Sequence, residues 1–344
     1  MHTRAPSGRE RAPEPLPAAL VGLGRWGEVL RGKLCAPGAP FALRATHDAR
    51  PERPQSHTLA ALLADEGARA AFVATPPHTH HAVAAALLEA GKHVWLEKPC
   101  GASLRELRDL RARAAARGRA LHLGYTYLHH PLARLLAEEA RALPAPSAAT
   151  PWEFTATRLQ SGPLGAPARR PCEALYDLGV HDLTLLKMCL PALRAEGVEA
   201  LLVAPREGRE GRGEGLTLTL RAPHLRATLT AAPLAAARAR RFTLTCGGEG
   251  GARLSFGLDA EGREALWVGE GAPRYTPAGA LDALEEGMRS FAAQVRALEG
   301  GDPPSPPAPP SQGGAVGGGE VGELFHALME RAQAPKAAWS RGAL

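Results

Sequence analysis

The pattern of hydrophobic and polar positions divides the chain into two regions. From about residue 16 to 127, short apolar runs alternate with longer Ala- and Leu-rich amphipathic stretches. This alternation is typical of βαβ units around a buried parallel sheet. It predicts strands over 18–22, 43–47, 71–74, 93–97 and 120–124, and helices over 26–34, 80–90 and 103–117. We expect these elements to form one doubly wound α/β domain.

After residue 127, strands follow one another with few helices between them. The pattern predicts helices over 131–142 and 174–189, and strands over 152–159, 199–203, 216–220, 225–231, 242–246, 253–256 and 265–268. Successive strands without crossover helices favour antiparallel pairing, so we expect an α+β domain with a large, mainly antiparallel, open sheet. Two more helices, over 281–298 and 321–332, flank a Pro- and Gly-rich segment.

These elements divide the chain into five parts. We expect a flexible tail over 1–15, a doubly wound domain over 16–127, an α+β domain over 128–298, a Pro- and Gly-rich linker over 299–319, and a final part over 320–344 whose helix docks back.

Composition and charge exclude several classes of protein. The 344 residues are 45% hydrophobic and 22% charged, and none of their apolar runs reaches the roughly 18 residues of a membrane span. The net charge is +6, but the arginines are scattered, so we expect no nucleic-acid partner and no membrane partner. The five cysteines are far apart and the amino terminus lacks a signal-peptide pattern, which favours a reducing, cytoplasmic location.

The first chemical motif lies between a predicted strand and a predicted helix. It reads Gly22-Leu23-Gly24-Arg25-Trp26-Gly27, which is a G-x-G-x-x-G pattern. In a dinucleotide site the first glycine makes a tight turn, the second admits the pyrophosphate, and the third lets helix and strand pack closely. In isolation the pattern can be a simple turn, but its context predicts cofactor contacts from Gly22, Gly24, Arg25, Trp26 and Gly27.

Asp48 follows the second predicted strand. A carboxylate there accepts hydrogen bonds from a ribose 2′-hydroxyl and repels a 2′-phosphate, so we expect NAD as the cofactor. The nearby Arg50 and Arg53 leave NADP open. A solvated turn residue is the alternative interpretation of Asp48.

Two further motifs follow neighbouring predicted parallel strands. The first reads Thr75-Pro76-Pro77-His78-Thr79-His80-His81 and the second ends in Glu97-Lys98-Pro99. Doubly wound folds bind ligands at this carboxyl edge of the sheet, so we expect the cofactor to contact Thr75, Pro76, His80 and Glu97. Although the histidines are close in sequence, no further metal ligand is identifiable and adjacent helical residues point in different directions, so no metal site is expected.

The last motif reads Tyr176-Asp177-Leu178-Gly179-Val180-His181-Asp182. Asp177 and His181 are four residues apart, which places them on one face of a helix. An acid beside an imidazole suits proton transfer with a hydroxyl or carbonyl group. A surface pair or helix cap is the alternative.

Together the motifs GLGRWG, ATPPHTHH, AGKHVWLEKP, LGYTYLHHP and YDLGVHDL resemble the Gfo/Idh/MocA family of NAD(P)-dependent oxidoreductases. The resemblance implies a Rossmann domain, then a domain whose open sheet supports a homodimer or homotetramer. It also implies oxidation or reduction of sugars, inositols or nucleotide sugars. By the same resemblance Lys98 lies beside the nicotinamide and the reacting oxygen, and Asp177 and His181 complete the catalytic set.

The turn at Trp26, the run Gly124-Tyr125-Thr126-Tyr127 and the run Thr157-Arg158-Leu159 are similar to those of UDP-N-acetylhexosamine, or uronate, 3-dehydrogenases. Gln160-Ser161 and Pro171-Cys172-Glu173 depart from that pattern. Expected substrate contacts are Lys98, Tyr125, Tyr127, Arg158, Asp177 and His181, although both tyrosines also suit packing at the domain junction.

These observations predict hydride transfer between NAD(P) and a secondary alcohol or ketone of a sugar, with a nucleotide sugar as the favoured substrate. Three alternatives stay open: a dehydrogenase of free sugars or inositols, an imine-type reductase, and a dinucleotide-binding sensor without turnover.

Overall fold

The first sheet is parallel throughout, as the sequence predicts. The computed structural model describes residues 13–50, 57–161, 178–203, 216–235, 239–247, 251–277, 281–300 and 316–332. The strands are β1 (Leu16–Val21), β2 (Phe41–His47), β3 (Ala70–Val73), β4 (His93–Leu96) and β5 (Leu121–Leu123). Their order is β2-β1-β3-β4-β5, so the chain reverses direction across the sheet between β1 and β3. Ligands of doubly wound folds bind at such a reversal.

Helices connect these strands. They are α1 (Arg25–Leu34), α2 (Leu59–Ala64), α3 (His80–Glu89) and α4 (Leu104–Ala116), with short 3₁₀ turns at Pro77–Thr79 and Thr126–His129. The sequence pattern did not predict α2, which has six residues and is capped by the Thr58 hydroxyl accepting from the Ala61 amide at 3.1 Å. Ser103 caps α4 in the same way, through the Glu106 amide at 3.2 Å.

The second sheet has seven strands and is mainly antiparallel, which confirms the predicted fold class. The strands are β6 (Trp152–Ser161), β7 (Glu199–Val203), β8 (Leu216–Ala222), β9 (Leu225–Ala235), β10 (Ala239–Cys246), β11 (Ala252–Leu258) and β12 (Glu264–Val268). Their order is β12-β11-β10-β6-β9-β8-β7, and only the β6–β9 pair among these strands is parallel.

One face of the second sheet is covered and the other is open. Along β6, Phe154 and Ala156 are buried, whereas Thr155 and Thr157 point to the exposed face. The covered face packs with α5 (Pro131–Arg141) and α6 (Val180–Cys189) in one hydrophobic cluster. The first residues of the helix predicted over 174–189 lie outside the described residues, as do most of the predicted tail and linker.

Two helices from the end of the chain pack beside the first sheet. In α7 (Ala283–Glu299), the ring of Phe291 lies 5.2 Å from that of Phe41 and 5.8 Å from that of Phe72. The last helix, α8 (Gly318–Arg331), buries Phe325 and Leu328 and contacts α4 and α6. The domain limits given above stay a prediction. Helix α7 follows the second sheet in the sequence, but it packs against the first sheet.

Helix length and polarity leave no candidate membrane span in the described ranges.

Several histidines are buried in the folded protein. Burial lowers the pKa of His122 to about 3, and it lowers the pKa values of His93, His129 and His326 to about 4. His122 stacks on Trp95 with ring centroids 4.4 Å apart, which explains its deep burial. These rings are therefore neutral in the folded protein and become cationic more readily in the unfolded chain.

The free energy of unfolding is therefore expected to fall as the pH drops from about 6.5 toward 4, because the unfolded chain then binds more protons than the folded one. Urea unfolding at a series of pH values measures this slope. His122→Phe keeps an aromatic ring on Trp95 without a titrating group, so its slope should be shallower. An identical slope in the variant and the unmodified protein would contradict this account.

Candidate functional site

The glycine turn joins β1 to α1 at the reversal of strand order. Gly22 has φ +96°, and a Cβ atom there would lie 2.6 Å from the Ala74 carbonyl oxygen. A Cβ atom at Gly27 would lie 1.9 Å from the Gly22 carbonyl oxygen. At Gly24, by contrast, a Cβ atom would meet nothing within 4 Å. The chain's own packing thus requires two of the glycines, and the third leaves an open space at the start of α1 that suits the pyrophosphate of a dinucleotide.

Asp48 lies at the end of β2 and supports the glycine turn. Its carboxylate accepts from the Leu23 amide at 2.6 Å and from Arg50 Nε at 2.8 Å and Nη2 at 2.9 Å. The Arg50 hydrogen bonds hold the pKa of the Asp48 carboxyl well below its usual range. Its side chain is only 8% exposed, so Asp48 is not a solvated turn residue. The Asp48 carboxylate and the Arg50 guanidinium lie side by side, and this pair is chemically compatible with both NAD and NADP. Arg53 lies outside the described residues.

Glu97 connects the end of β4 to the glycine turn. Its carboxylate accepts from Trp95 Nε1 at 2.9 Å and from the indole of Trp26. Burial raises the pKa of Glu97. Gly124 makes room for this carboxyl group, since a Cβ atom there would lie 2.9 Å from Glu97 Oε1. Arg25 and Trp26, in the turn itself, are exposed.

The loop after β3 lies beside the loop after β4. The Thr75 hydroxyl accepts from the Thr79 hydroxyl at 2.8 Å, and Pro76 is exposed. His80 is only 1% exposed, and its ring lies between the carbonyl oxygens of Thr75 and Pro99. Its ring atoms therefore face the protein interior.

The predicted absence of a metal site stays a prediction. His81, next to His80, pairs with Asp109 at 2.7 Å instead of joining other potential ligands. Within the described ranges, no group of three or more His, Cys, Asp or Glu side chains is arranged to hold a metal ion.

His181 lies in the first turn of α6, edge-to-face against the Tyr127 ring with centroids 5.3 Å apart. Burial lowers its pKa well below the usual range, and the positive charges of Lys98, Arg158 and Arg240 lower it further. The ring is therefore neutral near pH 7. Lys98 of the first domain and His181 of the second thus lie close enough to interact electrostatically, while Asp177 lies outside the described residues.

Two arginines converge on the Tyr127 hydroxyl. Arg158 on β6 and Arg240 on β10 are direct partners in the antiparallel ladder, and each donates to that oxygen. Arg158 also binds Asp182 through two hydrogen bonds of 2.7 and 3.2 Å. Arg158, a predicted substrate contact, is therefore already held by a buried carboxylate.

Arg240 completes this cluster through a second carboxylate. It pairs with Glu264 at 2.7 Å, and Glu264 also contacts His130 Nε2 at 2.6 Å. Sequence reasoning missed Arg240 and Glu264, because only the strand register places them beside Tyr127.

Tyr125, the other predicted tyrosine contact, is fully buried. Its hydroxyl accepts from Cys100 Sγ at 3.6 Å, and its ring lies under Gly322 of α8. The structure thus places Tyr125 in the packing between α8 and the first domain.

Gly24→Val is expected to raise the dissociation constant for NADH at least about tenfold, because its side chain would fill the space for the pyrophosphate. Its melting temperature should stay close to that of the unmodified protein, since a Cβ atom at this position meets nothing within 4 Å. The control is Gly27→Ala, which should lower the melting temperature because its Cβ collides with the Gly22 carbonyl oxygen. Nicotinamide fluorescence and thermal unfolding measure both effects. Unchanged binding in Gly24→Val would argue against a dinucleotide in this turn.

Comparisons with known proteins reveal similarities of sequence and of fold. A segment of 60 residues is 45% identical to inositol 2-dehydrogenase 1 of Saccharopolyspora erythraea. This match covers 17% of this chain and 18% of that protein. The matched segment thus spans less than a fifth of this curated relative.

Solved structures of similar fold cover nearly the whole chain. UDP-N-acetylglucosamine 3-dehydrogenase GnnA from Acidithiobacillus ferrooxidans has a TM-score of 0.67 at 20% identity, over 95% of this chain and 99% of that chain. KijD10, a 3-ketoreductase from Actinomadura kijaniata in complex with TDP-benzene and NADP, has a TM-score of 0.66 at 20% identity, over 93% and 98%. At these identities the likeness shows the fold.

A family model supplies the remaining evidence. It describes an oxidoreductase family with an NAD-binding Rossmann fold, and it matches residues 18–125, which include the glycine turn and the Glu97-Lys98-Pro99 motif. Residues 18–125 of this chain therefore form a domain of the Gfo/Idh/MocA oxidoreductase family, with an NAD-binding Rossmann fold.

Proposed function

We propose that the protein is an oxidoreductase that transfers hydride between NAD(P) and a secondary alcohol or ketone of a sugar. The observation that carries this proposal is that Lys98 lies close enough to His181 for its positive charge to lower the pKa of that imidazole. Lys98 follows β4 at the carboxyl edge of the Rossmann sheet, and His181 lies in the first turn of α6 in the second domain. A cation near a neutral imidazole, next to a dinucleotide site, is a combination that suits alcohol oxidation.

When bound, the nicotinamide supplies or accepts the hydride. In the oxidation direction, the neutral imidazole of His181 accepts the proton of the substrate hydroxyl. The ammonium group of Lys98 stabilises the negative charge that develops on the oxygen, and partial burial of Lys98 strengthens this effect. By the resemblance described above, we propose that Asp177 orients His181 or bonds a neighbouring substrate hydroxyl.

The substrate site involves the second domain. Tyr127 contacts His181, and its hydroxyl is fixed by Arg158 and Arg240, so its ring forms a wall next to the proposed base. Because Asp182 holds Arg158, we propose Lys98, Tyr127 and His181 as the primary substrate contacts and assign Arg158 to the support of Tyr127.

We propose a nucleotide sugar as the substrate. The support is that two proteins of this fold, similar over nearly their whole length, are named for a UDP-linked sugar or were solved with a TDP-linked compound. The second candidate is an inositol or a free sugar, which the local identity to an inositol 2-dehydrogenase favours. The homodimer or homotetramer stays a prediction.

Lys98→Met is expected to lower the rate of hydride transfer by about 10²–10³-fold, because the alkoxide loses its stabilising cation. The dissociation constant for NADH should change by less than about twofold, since the glycine turn is intact. The rate is measured as the single-turnover absorbance change of NADH or NADPH. Two substrate panels are compared, UDP-linked hexosamines or uronates in one and free sugars and inositols in the other, and the panel that gives a signal identifies the substrate class.

The matched control is Lys33→Met, because Lys33 pairs with Asp282 at the far end of α1 and should leave the rate unchanged. Full activity of Lys98→Met would overturn the proposed mechanism.

The pH dependence provides an independent test of His181. Because its pKa is held well below 6.5, kcat/KM for alcohol oxidation should show no loss from protonation of His181 between about pH 8 and 6.5. Arg240→Gln removes one of the charges that lower this pKa, so it should move the acidic inflection upward. An inflection near 6.5 in the unmodified enzyme that Arg240→Gln does not shift would refute this assignment.

A further inference from the structure

His80 links the two loops that border the proposed reaction centre. Its Nε2 atom lies 2.8 Å from the carbonyl oxygen of Thr75, after β3, and its Nδ1 atom lies 2.8 Å from the carbonyl oxygen of Pro99, after β4. Both oxygens only accept hydrogen bonds, so the ring donates to one of them when neutral and to both when protonated. Pro99 is the residue that follows Lys98.

A second buried imidazole holds the same loop from the opposite helix. His326 of α8 is 3% exposed and hydrogen-bonds the backbone of Cys100, the next residue along. The two residues after Lys98 are therefore each contacted by a buried imidazole, one from α3 and one from α8.

These hydrogen bonds are separate from the hydrophobic packing that holds α3 and α8 in place. Helix α3 is anchored by the buried side chains of Ala84, Leu87 and Leu88, and α8 by Leu324 and Leu328. The polar ring atoms of His80 act instead on the backbone next to Lys98. A side chain that only filled space at this position would leave that backbone with fewer restraints.

We propose that His80 is a positioning residue. Its buried ring lies between the carbonyl oxygens of Thr75 and Pro99, donates to one of them when neutral, and so fixes the loop that carries the ammonium group of Lys98, with His326 restraining that loop from the other side. This inference rests on the proposed role of Lys98. Small displacements of reacting groups have large effects on rate, because hydride transfer needs close alignment. His80 therefore acts on turnover without touching the substrate.

The chain contains five lysines, which makes Lys98 observable directly. Reductive methylation with ¹³C-formaldehyde keeps the positive charge and gives separate methyl resonances, and Lys98→Arg identifies the one from Lys98. His80→Phe should shift or broaden this resonance and lower the hydride-transfer rate at least about tenfold, with NADH affinity changed by less than about twofold. His80→Gln, whose amide can still donate to a carbonyl, should recover part of both losses.

His81→Phe is the matched control, because His81 is the next residue of α3 but pairs with Asp109 away from the loop. It should leave the Lys98 resonance and the rate unchanged. If folded His80→Phe also leaves both unchanged, the proposal is overturned, and if it does not fold, His80→Gln is compared with His81→Phe in the same way. Absence of hydride transfer in the unmodified protein would refute the proposed function, whereas the Lys98 resonance would still decide the role of His80.

Discussion

The reversal of strand order between β1 and β3 is the constraint on which the site depends. At that point successive connections leave the sheet in opposite directions, so their loops separate and a crevice opens at the carboxyl edge. The open space at Gly24 and the Asp48 carboxylate both lie along this crevice. Glu97 joins its two sides, because it accepts from an indole of the glycine turn while its own loop carries Lys98. Cofactor and reacting groups are thus assembled by the order of the strands.

The second domain contributes an environment in which charges are paired and one base is left neutral. Buried charges are costly unless they have partners, and here Arg158 has Asp182 while Arg240 has Glu264. Burial disfavours a positive charge on His181 and the surrounding cations disfavour it further, so its imidazole stays unprotonated. The same arginines orient Tyr127, which means that one set of ion pairs shapes both the wall of the site and the protonation state of its base.

Much of the fold could be predicted because buried strands leave continuous apolar runs, and the strand predictions end within a few residues of the observed ones. Helix α2 was missed because six residues are too short to show helical periodicity. The glycine turn was predictable because its constraints are local. The link between Arg240 and Tyr127 was not, because it depends on which strands pair and in what register. His80 was predicted at the site, but its contacts join distant loops that no local pattern reveals.

The return of α7 to the first sheet affects how the protein can form. Phe41, Phe72 and Trp95 lie against Phe291, which is synthesised after the whole second sheet. While the chain emerges from the ribosome, the aromatic face of the Rossmann sheet therefore stays uncovered until residues near the end have been made. An amino-terminal fragment that ends after β5 would expose that face to solvent. The two sheets are therefore separate in topology, but the first one is covered only after the second has been synthesised.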